Sequence, residues 1–243
     1  MTIVVFLGSG DAFSAGGRFY SSLLVIDGDQ VFLVDVGPTT PLALRRVGIL
    51  PNRISHIFLT HTHGDHIAGL PFLFLEYQHR FHRDSPITIV GAPGTSEYVE
   101  NITTAMYSSL AKENRRFEVN YQSINEKAYR FALTTARSFP MTHELHSRGF
   151  RFEFKGGKIL AVTGDTEWND NILSLSDGAD LLVIECSFFD KDVPGHLSFK
   201  SLEKNICRLN SQRIVLYHLG QDVLDKESEL HIEIAKDFME LKF

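Results

Sequence analysis

Three histidines and one aspartate fall within six positions of the stretch FLTHTHGDHIAG, at positions 58–69. Alternate residues of an extended chain point the same way, so His61 and His63 can face one point. The chain then turns at a glycine, and Asp65 with His66 can face a second point nearby. Zinc accepts imidazole nitrogen and carboxylate oxygen as ligands. The spacing therefore predicts part of a site for two neighbouring metal ions.

Two metal ions need more than four ligands, and further candidates follow predicted strands. MTHELHSRG contains His143 and His146, VTGDTEW contains Asp165, and VLYHLG contains His218. Loops that follow strands commonly present functional residues. Taken singly, each candidate is better explained as an exposed histidine or a helix-capping aspartate. Taken together, they complete the ligand count of a two-metal site.

The elements that must position these residues follow from runs of β-branched and apolar residues bounded by turn residues. Strand-rich and helical blocks alternate twice, which predicts two similar α/β halves packed into one domain over residues 1–243. Strands are predicted at 2–7, 21–26, 31–36, 56–59, 86–90, 117–122, 129–139, 148–154, 158–162, 181–185 and 213–217. Helices are predicted at 38–48 (Leu42, Leu44 and Val47 inward), 67–81, 95–110, 199–209 and 226–241.

The composition is that of an ordinary soluble protein. A net charge of −6 gives no basic footprint for nucleic acid. The N-terminus lacks the basic region of a signal peptide, and no run approaches the roughly 18 apolar residues of a membrane span. We expect a cytoplasmic protein with no membrane contact, in which Cys186 and Cys207 are reduced, buried thiols.

The signature His61-x-His63-x-Asp65-His66, followed by Gly-Leu-Pro, resembles the metallo-β-lactamase superfamily. Within it, the chain is most similar to the ribonuclease Z branch. FLGSGDAF resembles the opening strand and glycine loop of that branch, and SSLLVIDGDQVFLVDVG resembles its hairpin ending in an Asp-x-Gly turn. The resemblance implies an α/β fold, a four-layer αββα sandwich with the metals at one edge of two sheets.

The resemblance also implies two divalent metal ions, zinc or alternatively manganese, and their ligands. His143 is preferred to His146 because it stands six residues before Gly149, the spacing of the family. Asp35 would orient a histidine ligand. The first metal would take His61, His63, His143 and Asp165. The second metal would take Asp65, His66, Asp165 and His218.

The segment VIECSFFDKDVPGHLSF is similar to a glutamate-containing strand and a histidine turn of the branch. By that match, Glu185 and His196 would support Asp65. Two divalent ions can lower the pKa of a shared water toward neutrality, which supplies a hydroxide to attack a phosphodiester. Asp65 would orient or deprotonate this nucleophile. His196, tuned by Glu185, would steady a phosphoryl oxygen or protonate the leaving group.

The chain departs from ribonuclease Z in one respect. The tRNA-processing enzymes usually carry a long arm between the third histidine and the bridging aspartate. Here only 22 positions separate His143 from Asp165, and a predicted hairpin fills them. Together with the acidic net charge, this favours a small phosphodiester: a cyclic nucleotide, a cyclic phosphate or a short RNA. The cysteine-ligated zinc that some relatives carry near the first glycine loop is not expected, because no cysteine lies there.

Several alternatives stay open. A tRNA 3′ endonuclease, a lactonase and a thioesterase of the same superfamily would use the same metals. A non-enzymatic metal-binding protein is disfavoured by the complete ligand set. A dinucleotide-binding oxidoreductase is disfavoured because Phe13 occupies the third glycine position of the G-x-G-x-x-G pattern. Ribonuclease Z relatives are commonly dimers, so a homodimer is a further expectation.

Overall fold

Fourteen strands of the described chain form two seven-stranded sheets, in a computed structural model that describes residues 1–125 and 128–243. The first sheet has the strand order β14-β1-β2-β3-β4-β5-β6, and the second has the order β13-β12-β11-β10-β9-β8-β7. The strands are β1 (Thr2–Gly8), β2 (Ser22–Asp27), β3 (Gln30–Val34), β4 (His56–Phe58), β5 (Ile87–Gly91), β6 (Val119–Ser123), β7 (Tyr129–Phe131), β8 (Thr134–Pro140), β9 (Arg148–Glu153), β10 (Ile159–Val162), β11 (Leu181–Glu185), β12 (Ile214–Tyr217), β13 (Glu233–Ile234) and β14 (Glu240–Lys242).

The helices cover the outer faces of both sheets. They are α1 (Thr40–Arg46), α2 (Gly64–Ile67), α3 (Leu70–His79), α4 (Thr95–Met106), α5 (Asn171–Ser176), α6 (Phe199–Asn205) and α7 (Gln221–Leu224). Short 3₁₀ helices lie at Ala15–Gly17, Pro51–Arg53, Ser108–Leu110, Lys112–Asn114, Ile206–Arg208 and Glu227–Glu229.

Three buried apolar clusters hold these layers together. Strand β3 shows how: Phe32 and Val34 face the cluster between the two sheets, while Leu33 faces the cluster shared with α1, α3 and α4. A third cluster joins the second sheet to α5, α6 and α7. Because both faces of β3 are covered, its sequence is an unbroken apolar run rather than an alternation. The four layers confirm the predicted αββα sandwich.

Strand direction places the functional loops at one edge. Strands β3 to β6 are mutually parallel, as are β10 to β13. Strand β8 is antiparallel to β9, and β9 is antiparallel to β10, so β8 also points toward the edge where β10 ends. In open α/β sheets, the carboxyl ends of the strands are where ligands bind. The segments after β4, β8, β10, β11 and β12 carry the candidate ligands and catalytic residues.

Three predictions about elements were wrong. The segment predicted as a helix at 226–241 instead contains β13 and β14. Glu233 of β13 pairs with Val215 of β12, and Leu241 of β14 pairs with Val4 of β1. The strand predicted at 129–139 is two strands joined by a tight turn. Leu42 was predicted to face inward, but it is 48% exposed.

The helix predicted at 67–81 begins three residues earlier and is interrupted at Gly69. A Cβ at that position would lie 2.3 Å from the carbonyl oxygen of Gly37, so only glycine allows this close approach. Two helices, α2 and α3, replace the predicted single helix.

Two further expectations concern the cysteines and the membrane. Cys186 is buried as predicted, but Cys207 is exposed. Among the described residues, the helices are too short or too polar to cross a bilayer. The homodimer and the cytoplasmic location stay predictions.

Candidate metal centre

The loop after β4 presents the first histidines because its backbone is tied to the neighbouring strand. Asp35 donates its backbone N–H to the carbonyl of Phe58, and its Oδ1 accepts the N–H of Thr60 at 2.8 Å. The chain then enters α2, where the N–H of His66 bonds the carbonyl of His63. This short helix turns Asp65 and His66 away from the direction of the preceding histidines, as the spacing predicted.

Three imidazoles converge at one position, which we call the open cluster. They belong to His61, His63 and His143, and one ring nitrogen of each lies within 4.8 Å of the others. The Nδ1 of His63 lies 3.0 Å from the Nε2 of His143. His61 is buried, whereas the side chain of His63 is 46% exposed.

Four further side chains converge beside it, which we call the buried cluster. It comprises Asp65, His66, Asp165 and His218. Asp165 Oδ1 lies 3.3 Å from His66 Nε2, and Asp165 Oδ2 lies 3.3 Å from His218 Nε2. The same Oδ2 lies 3.8 Å from His61 Nε2 of the open cluster. Asp165 therefore stands between the two clusters, where a shared ligand must stand.

The donor atoms fit divalent metal ions. Among the described residues, His61 Nε2, His66 Nε2 and Asp165 Oδ1 are buried and have no hydrogen-bond partner. A buried polar atom without a partner costs free energy, so several of them aimed at one place indicate a missing partner. Nitrogen and carboxylate oxygen are donors that zinc and related divalent ions accept. The structure thus holds clusters that can bind metal.

Hydrogen bonds to the opposite ring nitrogens fix the orientation of three imidazoles. Asp35 Oδ2 accepts from His66 Nδ1 at 2.8 Å, which is the contact predicted for Asp35. Ser21 donates its hydroxyl to the carbonyl of Gly10 and accepts from His218 Nδ1 at 2.7 Å. The Nδ1 of His143 donates to the carbonyl of Gly195 at 2.7 Å. Each bond directs Nε2 toward the cluster, as is common around metal-binding histidines.

Glu185 and His196 form a pair at the edge of the clusters. The Glu185 carboxylate is fully buried and lies 3.0 Å from His196 Nδ1. It also accepts the backbone N–H groups of Thr166 and Leu197. His196 Nδ1 lies 3.9 Å from Asp165 Oδ2. The pair therefore adjoins Asp165, and the support that it was expected to give Asp65 stays a prediction.

The electrostatics of the metal-free clusters follow from burial and charge. Burial would raise the pKa of Asp65, but the close contact with His66, whose Nε2 lies 3.2 Å from Asp65 Oδ2, and the charge of His66 outweigh it and hold that pKa below its ordinary value. Burial would lower the pKa of His66, but Asp165 and Asp35 raise it well above the ordinary value. Burial and then the neighbouring His66 lower the pKa of His61. The charges of the histidines likewise lower the pKa of Asp165, despite its burial, so Asp65 and Asp165 are ionised and can bind a cation.

His196 keeps its proton more strongly than an ordinary histidine. Burial lowers its pKa, but the hydrogen bond and charge of Glu185 outweigh burial and raise it. A raised pKa suits a histidine that donates a proton.

All seven predicted ligands lie in the two clusters, and both predicted supporting residues lie beside them. His146 is exposed and belongs to neither cluster, consistent with the preference for His143. The sequence analysis missed Ser21, Thr60 and Gly195, which orient or position histidines. Adjacency in sequence could have indicated Thr60, which precedes His61 and lies 3.1 Å from its Nδ1. Ser21 and Gly195 lie far along the chain from His218 and His143, the histidines that they contact.

Curated ribonucleases Z are similar to this chain along nearly its whole length. The enzyme of Staphylococcus carnosus (strain TM300) is 26% identical, over 99% of this chain and 96% of that protein. The enzyme of Methanothermobacter thermautotrophicus is 25% identical, over 97% of this chain and 92% of that protein.

Solved structures share the fold over the same extent. The metallo-β-lactamase fold protein YhfI from Bacillus subtilis has a TM-score of 0.81 and 21% identity, covering 100% of both chains. Human tRNase Z, short form, has a TM-score of 0.80 and 24% identity, covering 99% of this chain and 98% of that chain. A diphosphatase from the PhnP family has a TM-score of 0.82 and 20% identity, covering 100% and 98%. These likenesses confirm the predicted metallo-β-lactamase fold.

A family comparison extends over nearly the whole chain. The sequence model of the family described as Anti-Pycsar protein Apyc1 matches residues 2–240.

Proposed function

We propose, since the chain belongs to the Anti-Pycsar protein Apyc1 family, that it is a metal-dependent hydrolase that cleaves a small phosphodiester. The observation that carries the proposal is the position of Asp165, whose Oδ2 lies within 4.0 Å of histidine nitrogens of both the open and the buried cluster. Two metal ions that share one carboxylate ligand can together bind the oxygens of a phosphodiester. The names of the similar proteins, ribonuclease Z, tRNase Z and diphosphatase, support cleavage of phosphate esters.

Each cluster would hold one divalent ion, zinc in the first instance and manganese as the alternative. The open cluster with Asp165 would hold the first ion, and the buried cluster would hold the second. When bound, such ions supply Lewis-acid charge to phosphate oxygens and lower the pKa of a water molecule.

Asp65 and His196 would move the protons of the reaction. Asp65 lies in the first turn of α2 with a lowered pKa, so its carboxylate is ionised and can accept a hydrogen bond that orients an attacking water. It would accept the proton of that water only once bound ions had lowered the pKa of the water. His196 has a raised pKa and can protonate the leaving oxygen or bond a phosphoryl oxygen. Glu185 holds the His196 ring in place through the 3.0 Å contact to Nδ1.

We favour a small substrate because the described residues between His143 and Asp165, where ribonuclease Z enzymes usually carry a tRNA-binding arm, are too few to form one. The described residues between His143 and Asp165 form a loop and the β9–β10 hairpin, whose strands pair in register from Glu153 to Phe150. A net charge of −6 also disfavours a long polyanion. Cyclic nucleotides, cyclic phosphates and short RNA are therefore the favoured substrates. A tRNA 3′ endonuclease is the second candidate, because the similar curated proteins are ribonucleases Z.

A hydrolysis panel with metal-reconstituted protein tests this proposal. It compares bis(p-nitrophenyl) phosphate, cyclic nucleotides, precursor tRNA, a lactone and a thioester, with Asp65→Ala as the inactive control. We expect turnover of the small phosphodiesters that Asp65→Ala abolishes. Turnover confined to the lactone or the thioester would contradict the proposal, and preferential cleavage of precursor tRNA would favour the second candidate.

The role of His196 has its own test. His196→Ala should retain the metal content of the wild type and lower kcat by about 10²- to 10⁴-fold, the range for a lost general acid. His231→Ala, a substitution of an exposed histidine, serves as the control. Loss of metal from His196→Ala would show that the assigned role is wrong.

A further inference from the structure

One carboxylate joins the C-terminal segment to the β1–β2 connection (residues 9–21). Asp237 Oδ1 accepts the backbone N–H of Ser9 at 2.9 Å and the hydroxyl of Ser9 at 2.7 Å. Asp237 Oδ2 accepts the backbone N–H of Phe19 at 2.8 Å. Arg18 Nη1 donates to the Ser9 hydroxyl at 2.8 Å and to the carbonyl of Ala235 at 2.6 Å. Hydrogen bonds to a charged group are stronger than neutral ones, so Asp237 fixes both ends of the connection.

The connection that Asp237 fixes lies directly against His218 of the buried cluster. The backbone N–H of Leu219 donates to the carbonyl of Ser9 at 3.2 Å, and Leu219 also forms a β-bridge with Gly10. The hydroxyl of Ser21 donates to the carbonyl of Gly10 at 3.2 Å and accepts from His218 Nδ1 at 2.7 Å. The connection therefore supports His218 twice, through the adjacent backbone and through the imidazole ring.

The backbone of His218 requires this support. Its φ is +56°, in the left-handed region that residues other than glycine rarely adopt. Such a conformation costs free energy and persists only where the surrounding structure holds it. A relaxed backbone at this position would change the direction of the imidazole, whose Nε2 lies 3.3 Å from Asp165 Oδ2. The metal-binding geometry of His218 thus depends on the contacts that hold its neighbours.

We propose that Asp237 is a positioning residue for the metal ion that the buried cluster would bind. Asp237 keeps the β1–β2 connection against Leu219, and the connection in turn holds the left-handed backbone of His218 and the Ser21 hydroxyl at its Nδ1. The inference rests on the proposed metal-dependent function. It assigns a role in metal affinity to the C-terminal segment, which contributes none of the seven predicted ligands.

Metal affinities of an isosteric variant test the proposal. Asp237→Asn places an amide N–H₂ group against a donor, so one of the three hydrogen bonds becomes a repulsive contact. It should weaken the metal of the buried cluster about three- to tenfold, less than the roughly 10- to 100-fold attributed to a direct partner of a ligand. Competition with a chromophoric chelator measures both affinities, and Ser21→Ala identifies the one that depends on His218. Glu240→Gln, an exposed carboxylate of the same segment bonded to Lys242, is the matched control.

Two further measurements distinguish positioning of His218 from a general loss of stability. In the metal-free protein, the proton on His218 Nδ1 should exchange with solvent faster in Asp237→Asn than in the wild type, as followed by NMR. The combined Ser21→Ala, Asp237→Asn variant should bind the metal more tightly than the product of the two single effects predicts, because both act through His218. Ser9→Ala keeps the backbone bonds to Asp237 and should show a smaller change in the same direction, even if Asp237→Asn does not fold.

The results that contradict the inference differ from those that contradict the proposed function. Equal weakening of both metals, or unchanged affinity together with unchanged proton exchange, would overturn the role of Asp237. Effects of Ser21→Ala and Asp237→Asn that multiply fully would overturn it as well. A protein that cleaves no phosphodiester but shows the expected pattern of affinities and proton exchange would contradict the proposed function alone.

Discussion

The open and buried clusters use similar ligands, and the two clusters differ most at His63. In the buried cluster, His66 is fully buried and bonded to Asp35, and His218 is bonded to Ser21. In the open cluster, His63 is half exposed, and its described ring contacts are to His143 and Glu144. The buried ligands are therefore oriented before a metal arrives, whereas His63 keeps rotational freedom.

We expect this difference to affect two properties: how tightly each cluster binds its metal ion, and how easily a substrate reaches that ion. Ligands that are already oriented lose little entropy on binding, so we expect the buried cluster to bind its metal more tightly. His63 of the open cluster is half exposed, so the metal of this cluster would meet the substrate. The comparison predicts a retained ion in the buried cluster and a more readily exchanged ion in the open cluster.

We expect the largest effect from substitution of Asp165, whose carboxylate adjoins both the open cluster and the buried cluster. Asp165→Ala should lose both metals and lower turnover of bis(p-nitrophenyl) phosphate by about 10³-fold or more, because metal charge stabilisation is worth several kcal/mol. Metal content is measured by elemental analysis after dialysis. Asp170→Ala, at an exposed aspartate, is the control. One retained ion per chain would show that Asp165 is not shared.

A pair of single-histidine variants compares the clusters directly. His66→Ala should lower the affinity of the tighter metal by more than the roughly 10- to 100-fold attributed to an outer partner. His63→Ala should leave that affinity unchanged and weaken only the looser metal. Competition with a chromophoric chelator resolves the two affinities. If His63→Ala weakens the tighter metal instead, the ranking of the clusters is reversed.

Asp35 tests whether orientation explains the difference. It accepts the Thr60 N–H, the Thr60 hydroxyl and His66 Nδ1–H, each at 2.8 Å. Asp35→Asn replaces one acceptor oxygen by a donor, so it should weaken the tighter metal roughly 10- to 100-fold. Asp29→Asn, at an exposed turn, should have no effect. Equal weakening of both metals would show that Asp35 supports the loop as a whole rather than His66.

The smallest effect concerns protons in the metal-free protein. The pKa of His61 is lowered and the pKa of His66 is raised from 6.5, although their ring centroids are 4.2 Å apart. Near pH 6.5, the His61 ring has therefore already lost one of its two ring protons and is neutral. The His66 ring still carries a proton on each nitrogen. Nitrogen chemical shifts of the imidazoles, followed from pH 5 to pH 8, measure this directly. Titration of both rings together would contradict the opposite shifts.

Local sequence patterns predicted most of the helices and strands. They failed where a segment pairs with a strand that lies far away in the sequence. The apolar strand runs and turn residues predicted the central strands of both sheets. The segment 226–241 has no proline or glycine, and its apolar residues also fit a helix. It forms strands because the edges of β12 and β1 are available to pair with it. Such pairing partners lie far away in sequence, and propensity yields to them.

The ligand set was predictable because each ligand belongs to a short motif at a strand end. The residues that orient the ligands were not, since their partners are distant: Ser21 and His218 are 197 positions apart. Asp237 and Ser9 are likewise 228 positions apart. Asp237 resembles an ordinary surface residue in the sequence, and only the folded chain shows that it holds the connection beside His218.

Gly195 has a consequence for how the protein tolerates mutation. Its φ is +84°, and a Cβ there would lie 2.7 Å from His143 Nδ1. A side chain at this position would thus strain the backbone and displace the imidazole that Gly195 itself holds through its carbonyl. In a complete substitution scan selected for function, position 195 should be as intolerant as a ligand, although it contributes no reactive atom. The selective constraint on this centre therefore extends to a residue whose contribution is the absence of a side chain.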